Sequence, residues 1–218
     1  MRHSIVTMAI MGVLSAPAAY AQTTAQAATA LNLRAGPGPA EEIISVIPAD
    51  GEVTVEACIQ GSNWCEVSFE GVNGWAFSDY LTVQLEGEAD PVILYENRDR
   101  ITVHTIERTD TTAESALGGG TVGMLAGAVV GGPVGAAIGG LAGASAGAAS
   151  DPGEQVTTYV RTNPVDQIYL DGEVVVGAGI PETVNLQDVP DSEYSYAYVN
   201  GVPVVVDSDS RQIIHILR

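Results

Sequence analysis

Eight glycines recur at every fourth residue, Gly119, Gly123, Gly127, Gly131, Gly135, Gly139, Gly143 and Gly147, inside an uncharged run from Leu117 to Ser150. Residues four apart lie on nearly one face of an α-helix, so a helical run of this kind carries a winding groove without side chains, along which another backbone approaches closely. That is a packing device and not a catalytic one. A glycine inside a helix costs roughly 1 kcal/mol relative to alanine, which rules out a lone helix standing in water. Gly131-Gly132-Pro133 interrupts the run near its middle. Proline removes a helical hydrogen bond and divides the run into halves of about fifteen residues, roughly 22 Å each, too short for a bilayer of about 30 Å. Unbroken, the run measures about 50 Å and overshoots the same bilayer. The expectation over 117–150 is therefore a helical hairpin packed through its glycine faces, self-associating or set partway into a membrane. A flexible linker favours serine over Val129, Val130, Ile138 and Leu141, and has no reason to keep the register. The flanks are acidic, Glu114 before and Asp151 and Glu154 after, so no flanking lysine or arginine supports a single crossing. A hairpin leaves both neighbouring domains on one side.

The chain opens with Met1-Arg2-His3, an apolar stretch from Ile5 to Leu14, a break at Pro17, and Ala19-Tyr20-Ala21. This pattern predicts a secretory signal peptide over 1–21, cleaved after Ala21, and hence an exported protein of the periplasm or cell envelope. No cysteine follows the cleavage point to carry a lipid anchor. Eight basic residues, all arginine, stand against 27 acidic ones, a formal net charge of −19. Such a balance disfavours nucleic acid and anionic lipid headgroups as partners. Carboxylates are plentiful enough for a calcium-dependent role, but no Asp-x-Asp-x-Asp-Gly loop occurs. Cys58 and Cys65 flank a Gly-Ser-Asn turn at hairpin spacing, and in an oxidising compartment they are expected to form a disulfide. A zinc site needs two more ligands, and past the signal only His104 and His215 remain besides carboxylates. No metal or cofactor is expected.

The remaining chain reads as short strands. After a spacer over 22–29, Val53 to Ala57, Glu66 to Phe69 and Gly74 to Phe77 show strand chemistry between turn residues, which suits a small barrel over 30–85. Here the sequence resembles a bacterial SH3-type domain: Leu31-Asn32-Leu33-Arg34-Ala35-Gly36-Pro37-Gly38 is similar to that family's opening signature, and Gly74-Trp75 with Tyr80-Leu81 to its closing one. The resemblance implies cell-wall or peptide binding for some members and a spacer role for others. Residues 86–116 are expected to form a hairpin or linker. The glycine run resembles glycine zippers of exported surface antigens of Gram-negative bacteria, which implies envelope association. Over 155–218, strands are predicted at Val156 to Arg161, Glu173 to Val176, Val184 to Val189, Tyr194 to Val199, Pro203 to Val206 and Gln212 to Leu217, the last three as a meander turning at Asn200-Gly201 and Ser208 to Arg211. This block resembles a domain of unknown function (DUF1236-like) of exported proteobacterial proteins. Its terminal meander is also similar to that of periplasmic nickel and cobalt homeostasis proteins, whose additional histidines and methionines it lacks.

The expected fold class is mainly β with a helical hairpin: a small SH3-like β-barrel, a glycine-zipper α-hairpin and a small strand-rich C-terminal domain. No Gly-x-Ser-x-Gly elbow, His-Glu-x-x-His motif or phosphate loop occurs, and both cysteines are committed to each other, so no enzyme activity is expected. Aromatic side chains on small barrels supply stacking surfaces. The candidate ligand-binding residues are Arg34, Trp64, Trp75 and Tyr80. Against that role, Trp75 and Leu81 also suit the barrel core and Arg34, with Gly36 and Pro37, suits the first loop; Trp64, beside a turn, is expected to be partly exposed. The partners anticipated are peptidoglycan or an envelope protein, with a membrane or a second copy at the glycine run. The alternative is a structural or stress-related envelope protein that self-assembles through the run and has no ligand at the barrel.

Overall fold

The computed structural model describes residues 23–107, 129–133 and 150–218, the second of these as backbone alone. The signal peptide expected over 1–21 lies outside the described residues, as do Gly119, Gly123, Gly127, Gly135, Gly139, Gly143 and Gly147.

The first sheet is built from β1 (Thr23–Ala27), β2 (Leu31–Arg34), β3 (Ile43–Ile47), β4 (Glu52–Ile59), β5 (Trp64–Phe69), β6 (Val72–Phe77), β7 (Leu81–Val83), β8 (Val92–Ile93) and β9 (His104–Ile106). Their order is β3-β2-β6-β5-β4-β1-β7-β8, with β9 also on β4. In β4 the buried Val53 and Val55 alternate with exposed Glu52 and Glu56, the period-two pattern of a half-buried strand. Ala25, Leu31, Leu33, Val53, Val67 and Leu81 close over one core. Gly74 explains its own place in the motif: a Cβ there would sit 2.8 Å from the Arg34 carbonyl oxygen and 2.8 Å from Leu33 Cγ. Only glycine lets β6 lie this close to β2.

Two expectations change here. Residues 22–29, read as a spacer, supply β1, which pairs antiparallel with both β4 and β7 and buries Ala25 and Ala27. Small residues gave no amphipathic signal, yet they fit where three strands converge. Residues 86–107 do not fold back on themselves as a hairpin. β8 adds to β7, and β9 runs parallel to the second half of β4, whose first half is covered by β1. The segment between them is a strap: Leu94 is fully buried with its N–H on Leu81 O, and a 3-10 turn follows at Tyr95–Asn97.

The second sheet runs β10 (Val129–Pro133), β11 (Gln167–Asp171), β13 (Tyr194–Val199), β14 (Val202–Asp207), β15 (Ile213–Ile216), with β12 (Gln187–Asp188) also on β13. The meander and its Asn200-Gly201 turn stand as expected, both turn residues having positive φ, 49° and 90°. The expected strand at 156–161 is instead α1 (Glu154–Thr162). Its β-branched residues suggested a strand, but Val156, Tyr159 and Val160 share one helical face and pack on Tyr196 and Val205. Tyr196 Oη and Tyr198 Oη donate to Asn163 O and Val160 O at 2.9 and 3.1 Å, satisfying carbonyls at the helix end. Residues 173–176 form no strand, although Glu173, Val174 and Val175 are buried, and of 184–189 only Gln187–Asp188 pairs. The glycine run is also corrected in part. Val129–Pro133, where two helices were expected to meet, is a strand parallel to β11, and α1 is the one α-helix among the described residues. Backbone pairing at an open sheet edge outweighs helix formation in a segment of two valines, two glycines and a proline. No helix among the described residues is long and apolar enough to cross a membrane.

The second sheet is covered on both faces. Tyr196 and Val205 face α1, while Ala197, Val199, Val202, Val204 and Val206 join the cluster containing the barrel's Leu31, Leu33 and Ile47. Two-sided burial is why Val202–Asp207 reads as a nearly unbroken apolar run.

Candidate functional site

The centre of the molecule is a polar cluster at the seam between the two sheets. Arg34, at the end of β2, is 1% exposed, and Glu173, in the loop after β11, is 0% exposed. The pairing is bidentate: Nε donates to one carboxylate oxygen and Nη2 to the other at 2.7 Å. The guanidinium also donates to Glu41 O at 2.7 Å and Asn200 O at 3.0 Å. Glu173 accepts further from Asn32 Nδ2 at 3.1 Å and from the N–H of Val174 at 2.7 Å. Asn200, inside the hairpin turn, accepts from the Leu170 N–H and donates to Leu170 O and Gly172 O. The two buried charges thus neutralise each other, and neighbouring amides take up their remaining hydrogen-bonding capacity. Arg34 does brace the first loop, through Glu41 O, but its main partner lies 139 residues away.

The aromatic candidates separate. Trp64 is 5% exposed rather than partly open, because its cross-strand neighbour Phe77 meets it edge-on with centroids 5.3 Å apart. Tyr80 is also buried; burial first, then Asp79 and Glu173, pushes its hydroxyl up to about 12. Trp75, a ligand-binding candidate that also suited the core, is half-buried, opposite Arg34 on β2 and Glu66 on β5. Of the four candidates it alone keeps substantial exposed surface.

Cys58 and Cys65 are a directly opposed pair on β4 and β5 and form the expected disulfide. Arg98 of the strap lies against it, donating to Ile59 O at 3.1 Å, Ser78 Oγ at 2.8 Å and Cys65 Sγ at 3.6 Å, with Tyr95 beneath its guanidinium. Its Nε is buried without a hydrogen-bond partner among the described residues. Asp79, bonded by Asn63 Nδ2, has its carboxyl pushed up by burial, with Asn63 and Arg98 opposing the shift. His104 is exposed on β9 and His215 half-buried on β15, on different sheets. No group of three or more histidine, cysteine or acidic side chains among the described residues could hold a metal ion.

Sequence reasoning found Arg34 but missed Glu173, Asn32 and Asn200. Glu173 sits between Gly172 and a run of valines, which reads as a strand start. A carboxylate followed directly by three valines was the available signal, since burying it demands a cation.

A curved sheet closed over one core, with Gly74 pressed on β2 and a hairpin stapled by a disulfide, defines a small SH3-like barrel. Residues 29–82 match the family model of the bacterial SH3 domain. Residues 159–218 match the model of a domain of unknown function, DUF1236, so the chain carries these two domains in that order. No curated protein matches the sequence. Among solved structures it is similar to NlpC2 from Trichomonas vaginalis, at 21% identity over 32% of this chain with a TM-score of 0.28. The chain spans 26% of that protein's length.

Proposed function

We propose that this protein is an exported, non-enzymatic binding module of the cell envelope, whose barrel engages cell wall or peptide while the C-terminal domain is held against it. The observation that carries the reading is the bacterial SH3 match over 29–82, a domain type that is typically envelope-associated and commonly binds peptidoglycan or peptides. Neither matched family is described as an enzyme. The burial of Arg34, Trp64 and Tyr80 favours Trp75 as the barrel's contact residue. In this reading the signal peptide exports the chain, and the glycine run attaches it to a membrane or to a second copy. The test is co-sedimentation of the mature chain with purified peptidoglycan. Retention that falls at least tenfold in Trp75→Ala, with the melting temperature preserved, supports the proposal; absence of retention by the parent protein defeats wall binding.

A second reading, a ligand-free protein that assembles through the glycine run, draws on the strand Val129–Pro133, which adds to a sheet edge. Concentration-dependent assembly that persists after deletion of residues 30–83 would favour it.

A further inference from the structure

Beside the Arg34–Glu173 pair, a groove of ≈ 530 Å³ runs between the two domains. Its walls are apolar: Ile43 and Val46 of the edge strand β3 on one side, Tyr169, Pro203 and Leu217 on the other. A groove at a domain interface with few, well-placed polar groups is the usual form of a small-ligand site. Arg34 and Glu173 pair with each other, and the remaining charges lining the groove are Glu41, Glu42 and Arg218, the last also in the field of the Glu173 carboxylate.

These charges are segregated. Arg218 sits at the start of β2, where its guanidinium makes three long contacts, two to Asn32 Oδ1 at 3.3 Å and one to Ala30 O at 3.3 Å. Each is longer than the ~2.7–2.9 Å of a guanidinium–carboxylate bond, so a ligand carboxylate displaces them at little cost. Glu41 and Glu42 flank the far end of β2, fixed through Arg34 Nη1 on Glu41 O and the Ala35 N–H on Glu42 O at 2.9 Å. Neither carboxylate has an ion-pair partner among the described residues. Gly36 leaves the space that Glu41 needs, since a Cβ there would meet its carboxyl carbon at 2.8 Å. The two ends are separated by three to four residues of strand, about 10–13 Å. An extended chain of three residues spans about 10 Å between its terminal amine and carboxylate.

We propose that the interdomain groove binds a short extended peptide with both ends free, its carboxylate on Arg218, its amine at Glu41 and Glu42, and its apolar side chains between β3 and Tyr169. The proposal rests on the reading of the chain as a wall- or peptide-binding module and gives that reading a second site, away from Trp75. The groove exists only where the two domains meet, so neither domain alone has it.

The test is calorimetric titration of the full mature chain with uncapped Ala-Val-Ala, its N-acetylated form and its C-amidated form. The variants Arg218→Gln and Glu41→Gln/Glu42→Gln are titrated alongside. Uncapped peptide is expected to bind, with at least tenfold loss on capping either end. Arg218→Gln is expected to abolish the difference between acid and amide, and the double glutamine variant the difference between free and acetylated amine. Equal binding of all three peptides, or of none, overturns the site. Retention on purified peptidoglycan, measured on the same proteins, separates this proposal from the wider reading. Retention that neither the variants nor excess tripeptide alters overturns the groove and keeps wall binding. Tripeptide binding lost in Arg218→Gln, without any retention on peptidoglycan, keeps the groove and overturns wall binding.

Discussion

At the scale of single residues, the buried pair Arg34–Glu173 dominates the energetics. A buried ion pair adds little over a well-packed apolar pair, but removing one partner leaves the other's buried charge uncompensated, at about 3–5 kcal/mol. Glu173→Ala is therefore expected to lower the urea midpoint by that equivalent, while Arg34→Met/Glu173→Leu recovers most of the loss; a single variant within 1 kcal/mol of the parent, on the order of an exposed pair, contradicts the assignment. Tyr80 supplies a pH dependence. Its hydroxyl is held neutral in the fold up to about 12, against 10.0 for the free side chain. The group binds its proton more tightly when folded, so its stabilisation is complete below pH 10 and is lost as pH rises from 10 toward 12. Tyr80→Phe should flatten that part of the alkaline unfolding curve, read by circular dichroism between these pH values.

Elements in this protein derive much of their stability from what they pack on. β1 contains two threonines, two alanines and a glutamine, and owes its strand conformation to β4 and β7 on either side. α1 is rich in β-branched residues of modest helix propensity, and one apolar face on Tyr196 and Val205 decides it. The β4–β5 hairpin is the exception, since a covalent bond closes it. A disulfide spanning seven residues restricts the unfolded chain by about 2–3 kcal/mol. Cys58→Ser/Cys65→Ser is expected to cost that amount in denaturant unfolding, and because Arg98 ties the strap to this hairpin, amides of residues 94–98 should lose hydrogen-exchange protection with it. Unchanged protection there would show that the strap is held by β8 and β9 alone.

Across the whole molecule, the barrel and the C-terminal domain share one apolar cluster and one buried polar knot. Leu33 and Ile47 belong to the same core as Val199 and Val204. Such coupling predicts a single calorimetric transition for the described units, with equal van't Hoff and calorimetric enthalpies. Glu173→Ala should split it into two or shift both parts down together. Two independent transitions in the parent protein would mean that the seam contributes little.

Local patterns already carried the barrel strands, the Asn200-Gly201 hairpin with its meander, and the disulfide, because alternation, turn chemistry and cysteine spacing act over a few residues. Arg34 and Gly74 were legible as motif positions, though not for what they touch. The partner of Arg34, the burial of Trp64, the helical state of 154–162 and the strand at Val129–Pro133 were decided only by tertiary structure. Each depends on a surface contributed by residues distant in the chain: Glu173 for Arg34, the face formed by Tyr196 and Val205 for α1, and the open edge of β11 for β10. Burial and pairing energies of several kcal/mol outweigh local preferences of a few tenths per residue.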